Sequence, residues 1–307
     1  MIDRSNVAWS CVIDDTPEIW SSIVPWLATA IELARIDPSQ IHVHHVCVLR
    51  PEIEELCHTL RVNTHKIERF DPQYPHTNKI QQCTTAFTDA RHVVLTDVDV
   101  VFACLPPLDE IQTPVAGKLV DLPNPPMEIL RKVFSASGVP FPRTCTNAYV
   151  DSENTRVEFE TLLGNHNGGL LLIDREHLAR IGHAWAYWAR WLIAHIDLLD
   201  RWAIHVDQVS FCLAVNNLRM AIGLLEDAWN FPLHRNAAPS DIEPFILHHH
   251  AVFDNQLRLK QVSVPRAREA ITRVNGAIES FQRRHFPGLI GLCAPSRATP
   301  TSDVRFP

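Results

Sequence analysis

The sequence lacks any run of lysine or arginine, and its formal net charge is -7. Proteins that bind a polyanionic backbone present clustered cationic side chains, so this charge balance argues against nucleic acid as a partner. A small anionic ligand remains compatible with it, because one bound divalent cation can reverse the local field.

The chain also lacks a long uncharged apolar stretch. Charges at Asp3, Arg4 and Asp14 interrupt the N-terminal region, which leaves no apolar core of signal-peptide length. No window reaches the roughly 18 apolar residues that a membrane span requires. We therefore predict a soluble, cytoplasmic protein.

Paired cysteine motifs are absent as well. The eight cysteines are scattered without a CxxC pair, so we expect reduced core residues, as in a cytoplasmic protein. No internal repeat is visible, which excludes a solenoid. With 307 residues, 46% of them hydrophobic, the chain is long enough to bury a full core.

Apolar segments with strand and helix patterns alternate along the first third of the chain. The run Val7–Ile13 is apolar and β-branched, and turn residues follow it. This alternation predicts an α/β fold with a mostly parallel sheet and helices on both faces. The predicted strands are 7–13, 41–49 and 92–102, and the predicted helices are 18–36, 52–60 and 78–90.

The segment 105–147 differs from its surroundings because it is rich in proline and shows little periodicity. We predict an irregular insert there, with a helix near 127–134, that contributes to the acceptor side of a site. The predicted organisation is one domain over 1–290 and a flexible Ser/Thr/Pro-rich tail over 291–307.

Two acids, Asp97 and Asp99, interrupt the apolar segment HVVLTDVDVVF. If the segment is one strand, side chains at i and i+2 share a face, so both carboxylates can reach one cation. Burying two acids beside an apolar strand is costly unless a metal or hydrogen-bond donors compensate. We predict a metal site here; the alternative is a pair of ordinary turn residues.

This segment, preceded by Asn78-Lys79-Ile80, resembles the Asp-x-Asp strand and upstream lysine of the GT-A glycosyltransferases, such as glycogenin and the bacterial lipo-oligosaccharide galactosyltransferases. Three further segments follow in the order that the family requires: Asn167-Gly168-Gly169, Asp207-Gln208, and the histidines His248, His249 and His250. The resemblance implies a GT-A (Rossmann-like) fold, with a mixed, mostly parallel sheet flanked by helices.

The resemblance also implies a metal and a donor. In these families the two acids bind Mn²⁺ or Mg²⁺, the metal grips the diphosphate of a UDP-sugar, and a late histidine is a further ligand. Here the metal ligands would be Asp97, Asp99 and His248, with His250 on the same face by strand alternation. Val98 is grouped with the donor-binding residues. An imidazole beside carboxylates favours Mn²⁺ over Mg²⁺; the alternative is a solvated histidine cluster.

Five further positions follow from the resemblance. Asn167, Gly168 and Gly169 would contact the donor sugar, since glycines let the backbone approach a ligand; a glycine turn before a strand is the alternative. Asp207 and Gln208 would lie at the reacting carbon, which favours retention of configuration; a helix N-terminal acid is the alternative.

Cations and acids near the donor complete the predicted site. Lys79 would neutralise the diphosphate or a nearby acid, unless it is a solvated lysine. Asp14 and Asp15 follow the first strand, where open α/β sheets bind their ligands, although a plain turn fits them equally. The lysine that the family carries after its histidine is absent, and Arg258 and Lys260 are the nearest substitutes.

The predicted function is metal-dependent transfer of a hexose from a nucleotide sugar to a hydroxyl acceptor, either a glycan or a small molecule. One alternative is a sugar-phosphate nucleotidyltransferase, which would carry a Gly-rich basic loop where Asp14-Asp15-Thr16-Pro17 stands. The other is a metal-dependent sugar-binding protein without turnover.

Overall fold

The computed structural model describes residues 6–14, 17–150, 155–233, 242–250, 253–254, 257–260 and 265–286. The strands are β1 (Val7–Ile13), β2 (Ile41–His45), β3 (Asn63–Lys66), β4 (His92–Thr96), β5 (Val100–Phe102), β6 (Val115–Leu119), β7 (Thr144–Val150), β8 (Arg156–Leu162), β9 (His166–Asp174), β10 (Ile222–Leu225), β11 (Phe231–Pro232) and β12 (Ile246–His248). The α-helices are α1 (Pro17–Glu32), α2 (Pro51–Leu60), α3 (Met127–Ser137), α4 (Arg175–Ala194), α5 (Val206–Asn217) and α6 (Pro265–His285).

The central sheet has seven strands in the order β10-β6-β9-β4-β1-β2-β3. Strand β9 is antiparallel to both of its neighbours, β4 and β6, and the other neighbouring pairs are parallel. A mixed, mostly parallel sheet flanked by helices is the predicted fold class, which is confirmed.

Two hydrophobic clusters cover the faces of this sheet. On one face Trp9 and Trp26 each meet the ring of Phe102 edge-on at 5.4 Å, beneath α1 and α6. On the other face Trp185 of α4 packs against Phe211 of α5, with ring centroids 4.9 Å apart. Because both faces are covered at the centre of the sheet, the strands β1 and β4 are buried along almost their whole length and largely apolar.

The segment 92–102 is not one strand, so that prediction is wrong. Strand β4 ends at Thr96 in the central sheet, whereas β5 belongs to a separate sheet with β11 and β12. Asp97 and Asp99 lie in the turn between them. The apolar pattern looks continuous because both strands are buried, and the chain changes sheet where its acids interrupt that pattern.

The segment 105–147 is more regular than predicted. It contains β6, which lies between β9 and β10 in the central sheet, and the predicted helix, which is present as α3. The surrounding prolines concealed β6, because Pro114 immediately precedes it and strands rarely tolerate proline inside. The tail 291–307 and Asp15 lie outside the described residues.

The helix predicted over 78–90 is instead a 3₁₀ helix over Pro75–Thr84, which begins at a proline. Within this 3₁₀ helix, Asn78 and Lys79 are buried. Among the described residues, none of the helices combines the length and the apolar character needed to cross a membrane.

Candidate functional site

Lys79 lies between two carboxylates at the end of β4. Its ammonium is 2.7 Å from Asp97 Oδ1 and 3.1 Å from Asp207 Oδ2. Asp97 follows β4, Asp207 lies in the first turn of α5, and Lys79 comes from the 3₁₀ helix before β4. Three elements that are distant in sequence therefore bring one cation and two anions together.

Burial and charge act in opposite directions in this cluster. Burial favours the neutral form of Lys79, yet Asp97 and Asp207 outweigh it and raise the pKa of the ammonium. Burial also raises the pKa of Asp97, although Lys79 partly opposes that change. Lys79 is therefore a permanently charged, nearly buried cation, with 8% of its side chain exposed.

Asp99 faces two of the three clustered histidines. His248 Nε2 lies 3.2 Å from Asp99 Oδ1, and His250 Nδ1 lies 3.8 Å from Asp99 Oδ2. The two imidazoles stack with centroids 3.8 Å apart. Ligand atoms from Asp99, His248 and His250 all lie within 4.8 Å of one another, a spacing that a single cation can bridge.

This group fits a divalent transition metal. Burial opposes ionisation of Asp99, but His248 overcomes it and lowers the pKa of the carboxyl. Burial also disfavours the charged imidazole of His248, while Asp99 raises its pKa on balance. One carboxylate and two imidazoles suit Mn²⁺ or Zn²⁺ better than Mg²⁺, which prefers oxygen ligands.

The structure corrects the reasoning that placed these ligands. Asp97 and Asp99 do not share a strand face, and the carboxylate of Asp97 contacts Lys79 rather than the histidines. Strand β12 ends at His248, so alternation does not place His250 either. His250 has a positive φ of 46°, and this left-handed turn brings its ring back over His248.

His249 points away from this group. Its side chain is fully buried, and its ring lies 4.1 Å from that of Phe253, centroid to centroid. Its backbone N–H donates to the carbonyl oxygen of Asp99 at 3.0 Å, which fixes the turn that carries the acid.

Asn167, Gly168 and Gly169 begin β9 directly beside the acids. The backbone N–H of Asp97 donates to the carbonyl of Gly169, and Lys79 donates to the carbonyl of Gly168 at 3.4 Å. A Cβ at Gly169 would lie 2.7 Å from the ring of His248. A Cβ at Gly168 would lie 2.5 Å from Lys79 Nζ, so neither position has room for a side chain.

Asn167 is held by the protein itself. Its Nδ2 donates to Asp121 Oδ2 at 2.5 Å, and its Oδ1 accepts from Gly169 N and from Asn230 Nδ2. Gln208 is also oriented, because its Nε2 donates to the carbonyl of Asn124 at 2.8 Å. These contacts fix both side-chain amides before any ligand arrives.

Asp14 lies apart from the acid cluster and has partners of its own. Arg69 donates two hydrogen bonds to its carboxylate at 2.7 and 3.0 Å, and Asn78 Nδ2 donates a third at 2.8 Å. Val98 is buried in the core. Arg258 pairs with Glu279 of α6, at 3.6 Å on the surface.

Sequence reasoning missed a second buried ion cluster next to this site. Lys118 of β6 contacts Asp121, lies 3.3 Å from Asp227 and donates to the carbonyl of Asn230 at 2.9 Å. The signal was present in the segment VAGKLVD, where charges interrupt an apolar strand as they do at Asp97. Through Asp121 and Asn230, this cluster holds Asn167 from both sides.

The sheet order, the antiparallel β9 and the acids at the end of β4 define a GT-A fold, the α/β domain of many glycosyltransferases. The solved structure of the galactosyltransferase LgtC, in complex with donor and acceptor sugar analogs, is similar to this chain with a TM-score of 0.53. That comparison covers 89% of this chain and 95% of LgtC at 12% sequence identity.

An active-site mutant of LgtC gives the same TM-score at 13% identity, covering 88% of this chain and 95% of that one. The apo form of mouse xyloside xylosyltransferase 1 matches at a TM-score of 0.47 and 11% identity, over 79% of this chain and 96% of that one. No protein-family model matches the sequence, and no curated protein matches it. Identities this low establish the fold alone, so the activity must be argued from the residues.

Proposed function

We propose that the protein is a metal-dependent glycosyltransferase that moves a hexose from a UDP-sugar to a hydroxyl acceptor. One observation carries the proposal: the metal-type group Asp99, His248 and His250 adjoins the buried cation Lys79. Both lie beyond the carboxyl end of β4, where ligands of open α/β sheets bind.

A nucleotide diphosphate leaving group demands compensation of its negative charge. Asp99, His248 and His250 would hold a divalent cation, Mn²⁺ by preference, and such a cation neutralises the departing diphosphate when bound. Lys79 supplies a second, permanent positive charge at a fixed position. Because its ammonium is already paired with two carboxylates, Lys79 also holds Asp97 and Asp207 in a fixed orientation.

Asp207 and Gln208 are the proposed groups at the reacting carbon. Asp207 is buried beside Lys79 and Gly168, where its carboxylate can accept hydrogen bonds from sugar hydroxyls. The amide nitrogen of Gln208 is bound to Asn124, so the orientation of its amide group is set by the protein. Reaction with retention of configuration is the outcome that we propose.

The acceptor is proposed to enter along the segment 105–147. Asn124 of this segment accepts the hydrogen bond from Gln208, and Asp121 accepts the one from Asn167. The segment therefore contacts both proposed sugar-facing residues.

The decisive experiment combines binding with turnover. Calorimetry with UDP should show affinity that depends on Mn²⁺ in the wild type and loses that dependence in Asp99→Asn, which keeps side-chain volume but removes a ligand charge. Release of free UDP from a panel of UDP-sugars would then establish catalysis. Metal-dependent affinity that is unchanged in Asp99→Asn would refute the metal assignment, and binding without UDP release would indicate a sugar-binding protein instead.

A further inference from the structure

A second group of metal-type ligands lies at the opposite end of the central strands β4 and β9 from the candidate site. Strand β4 begins at His92, and β9 ends at Asp174, its partner in the strand register. Glu176 and His177 follow in the first turn of α4. Since β4 has five residues, this group lies roughly 16 Å from Asp97 at a rise of about 3.3 Å per residue.

The ligand atoms of this group are close enough for one ion. Atoms from Asp174, Glu176 and His177 all lie within 4.8 Å of one another. His92 lies next to this group, and its Nδ1 is 2.6 Å from Asp174 Oδ1. Two carboxylates and one imidazole therefore lie within reach of one ion, and a second imidazole holds one of the carboxylates.

Ordinary structural roles do not account for these side chains. Asp174 is the N-cap residue of α4, yet its carboxylate accepts no capping hydrogen bond. His92 is 6% exposed, and within the described residues neither of its ring nitrogens makes a hydrogen bond of acceptable geometry, despite the short contact with Asp174. Carboxylates that bind metals are themselves held by polar neighbours, so Asp174, which His92 contacts and which does not cap the helix, is positioned to bind an ion.

We propose that Asp174, Glu176 and His177 form a zinc site, with His92 holding the carboxylate of Asp174 in place. Three nitrogen and oxygen ligands from the protein, with solvent as the fourth, match the four-coordinate geometry of Zn²⁺. Glu176 and His177 have exposed side-chain fractions of 76% and 30%, which gives the ion access from solvent. An adjoining cavity of about 370 Å³ opens beside Asp174 and Glu176.

Charge sets the limit on affinity at this site. Arg91 and Arg175 line the same cavity, and both repel a cation. The carboxylates of Asp174 and Glu176 must therefore compensate the ion, so loss of either ligand charge should be felt strongly. A bound ion would join the end of β9 to the start of α4, and the contact of His92 with Asp174 would extend this link to β4. This stabilising role is independent of sugar transfer.

The experiment uses the full chain with the first metal group disabled by Asp99→Asn and His250→Ala. After treatment with a chelator, we expect this protein to bind one Zn²⁺, and to give the strong visible absorption of tetrahedral Co²⁺ when cobalt is substituted. Adding His177→Ala or Glu176→Gln should weaken zinc binding by about 100-fold or more, because even residues that only orient ligands cost about 10- to 100-fold.

The matched control is His58→Ala, which removes an exposed histidine at the end of α2. It should leave zinc affinity and the cobalt spectrum unchanged. Zinc should also raise the thermal unfolding midpoint of the background protein but not of its His177→Ala form. Zinc binding that is absent, that survives His177→Ala and Glu176→Gln, or that falls equally in His58→Ala would overturn the proposal.

Discussion

The imidazole of His248 lies 3.2 Å from the carboxylate of Asp99, although the two residues are far apart in sequence. The antiparallel pairing of β12 with β5 produces this contact, because it sets His248 opposite Val100, the residue that follows Asp99. The small three-stranded sheet therefore brings together Asp99 from the first half of the chain and His248 from the second.

The consecutive histidines should differ in their contribution to metal binding. We predict that His248→Ala weakens Mn²⁺ binding by at least about ten-fold and that His249→Ala has a much smaller effect. The ring of His249 packs on Phe253, and its contact with Asp99 uses the backbone, which substitution preserves. Titration with Mn²⁺ in the presence of UDP measures the difference. The opposite order of effects would mean that His249 is the ligand.

Gly169 should tolerate no side chain, because a Cβ would lie 2.7 Å from His248 and 2.8 Å from Asn230. We predict that Gly169→Ala displaces His248 and lowers Mn²⁺-dependent UDP affinity by about ten-fold or more, which is about 1.4 kcal/mol. The matched control is Gly276→Ala in α6, where nothing lies within 4 Å of the added atom. That control should keep UDP affinity and raise stability by roughly 0.5 to 1 kcal/mol. Equal UDP affinity in the two variants would contradict the close packing.

Lys79 should matter for stability as well as for activity. Lys79→Met leaves Asp97 and Asp207 without their shared cation, and removal of one partner from a buried ion cluster costs roughly 3 to 5 kcal/mol. Urea unfolding measures this loss, and UDP release should fall with it. Lys132→Met on the exposed face of α3 is the control and should change stability by less than about 0.5 kcal/mol. A Lys79→Met variant as stable as the control would disprove the structural role.

Stability should fall in mild acid because of His166. Burial lowers the pKa of His166 from 6.5 to about 3. Between these two pH values the imidazole binds a proton in the unfolded chain but not in the folded chain. Each pH unit between those values removes up to about 1.4 kcal/mol of folding free energy. We predict that His166→Leu, compared with wild type by urea unfolding at pH 7.5 and pH 5.0, loses less stability between the two pH values. An unchanged difference would show that His166 does not titrate in this way.

The segment 105–147 should respond to substrate. We predict that hydrogen exchange slows around 120–126 when UDP-sugar and an acceptor are added, because Asp121 and Asn124 hold the amides of Asn167 and Gln208. Strand β6 in the same segment is the internal control, since its hydrogen bonds in the sheet already protect it. Turnover without any change in protection would rule out the acceptor role.

Sequence patterns predicted the parts of the fold in which burial alone determines conformation. Strand β1 was predicted with both of its ends, because its residues are apolar and turn residues follow. The patterns could not show that 92–102 changes sheet, since β4 and β5 are equally buried. They missed β6 for the opposite reason: prolines around it suggested a loop.

The candidate site was predictable as a set of residues but not as a geometry. The structure brings Lys79, Asp97, Asp207 and Gly168 together, and it places Asp99, His248 and His250 in a second group beside them. That division depends on a turn with a left-handed residue at His250, which no periodicity reveals. The ion pairs of Lys118 could not be predicted either, because its partners Asp121 and Asp227 come from different segments of the chain.

The antiparallel position of β9 has a consequence for synthesis of the protein. Strands β1 to β4 can pair as soon as residue 96 has emerged from the ribosome, whereas β6 finds its first partner only when β9 is complete at Asp174. During that interval β4 and β6 each present an unpaired apolar edge, the feature that promotes association between nascent chains. The β1–β4 half of the central sheet can thus form early, whereas its β6 side must wait until β9 has been synthesised.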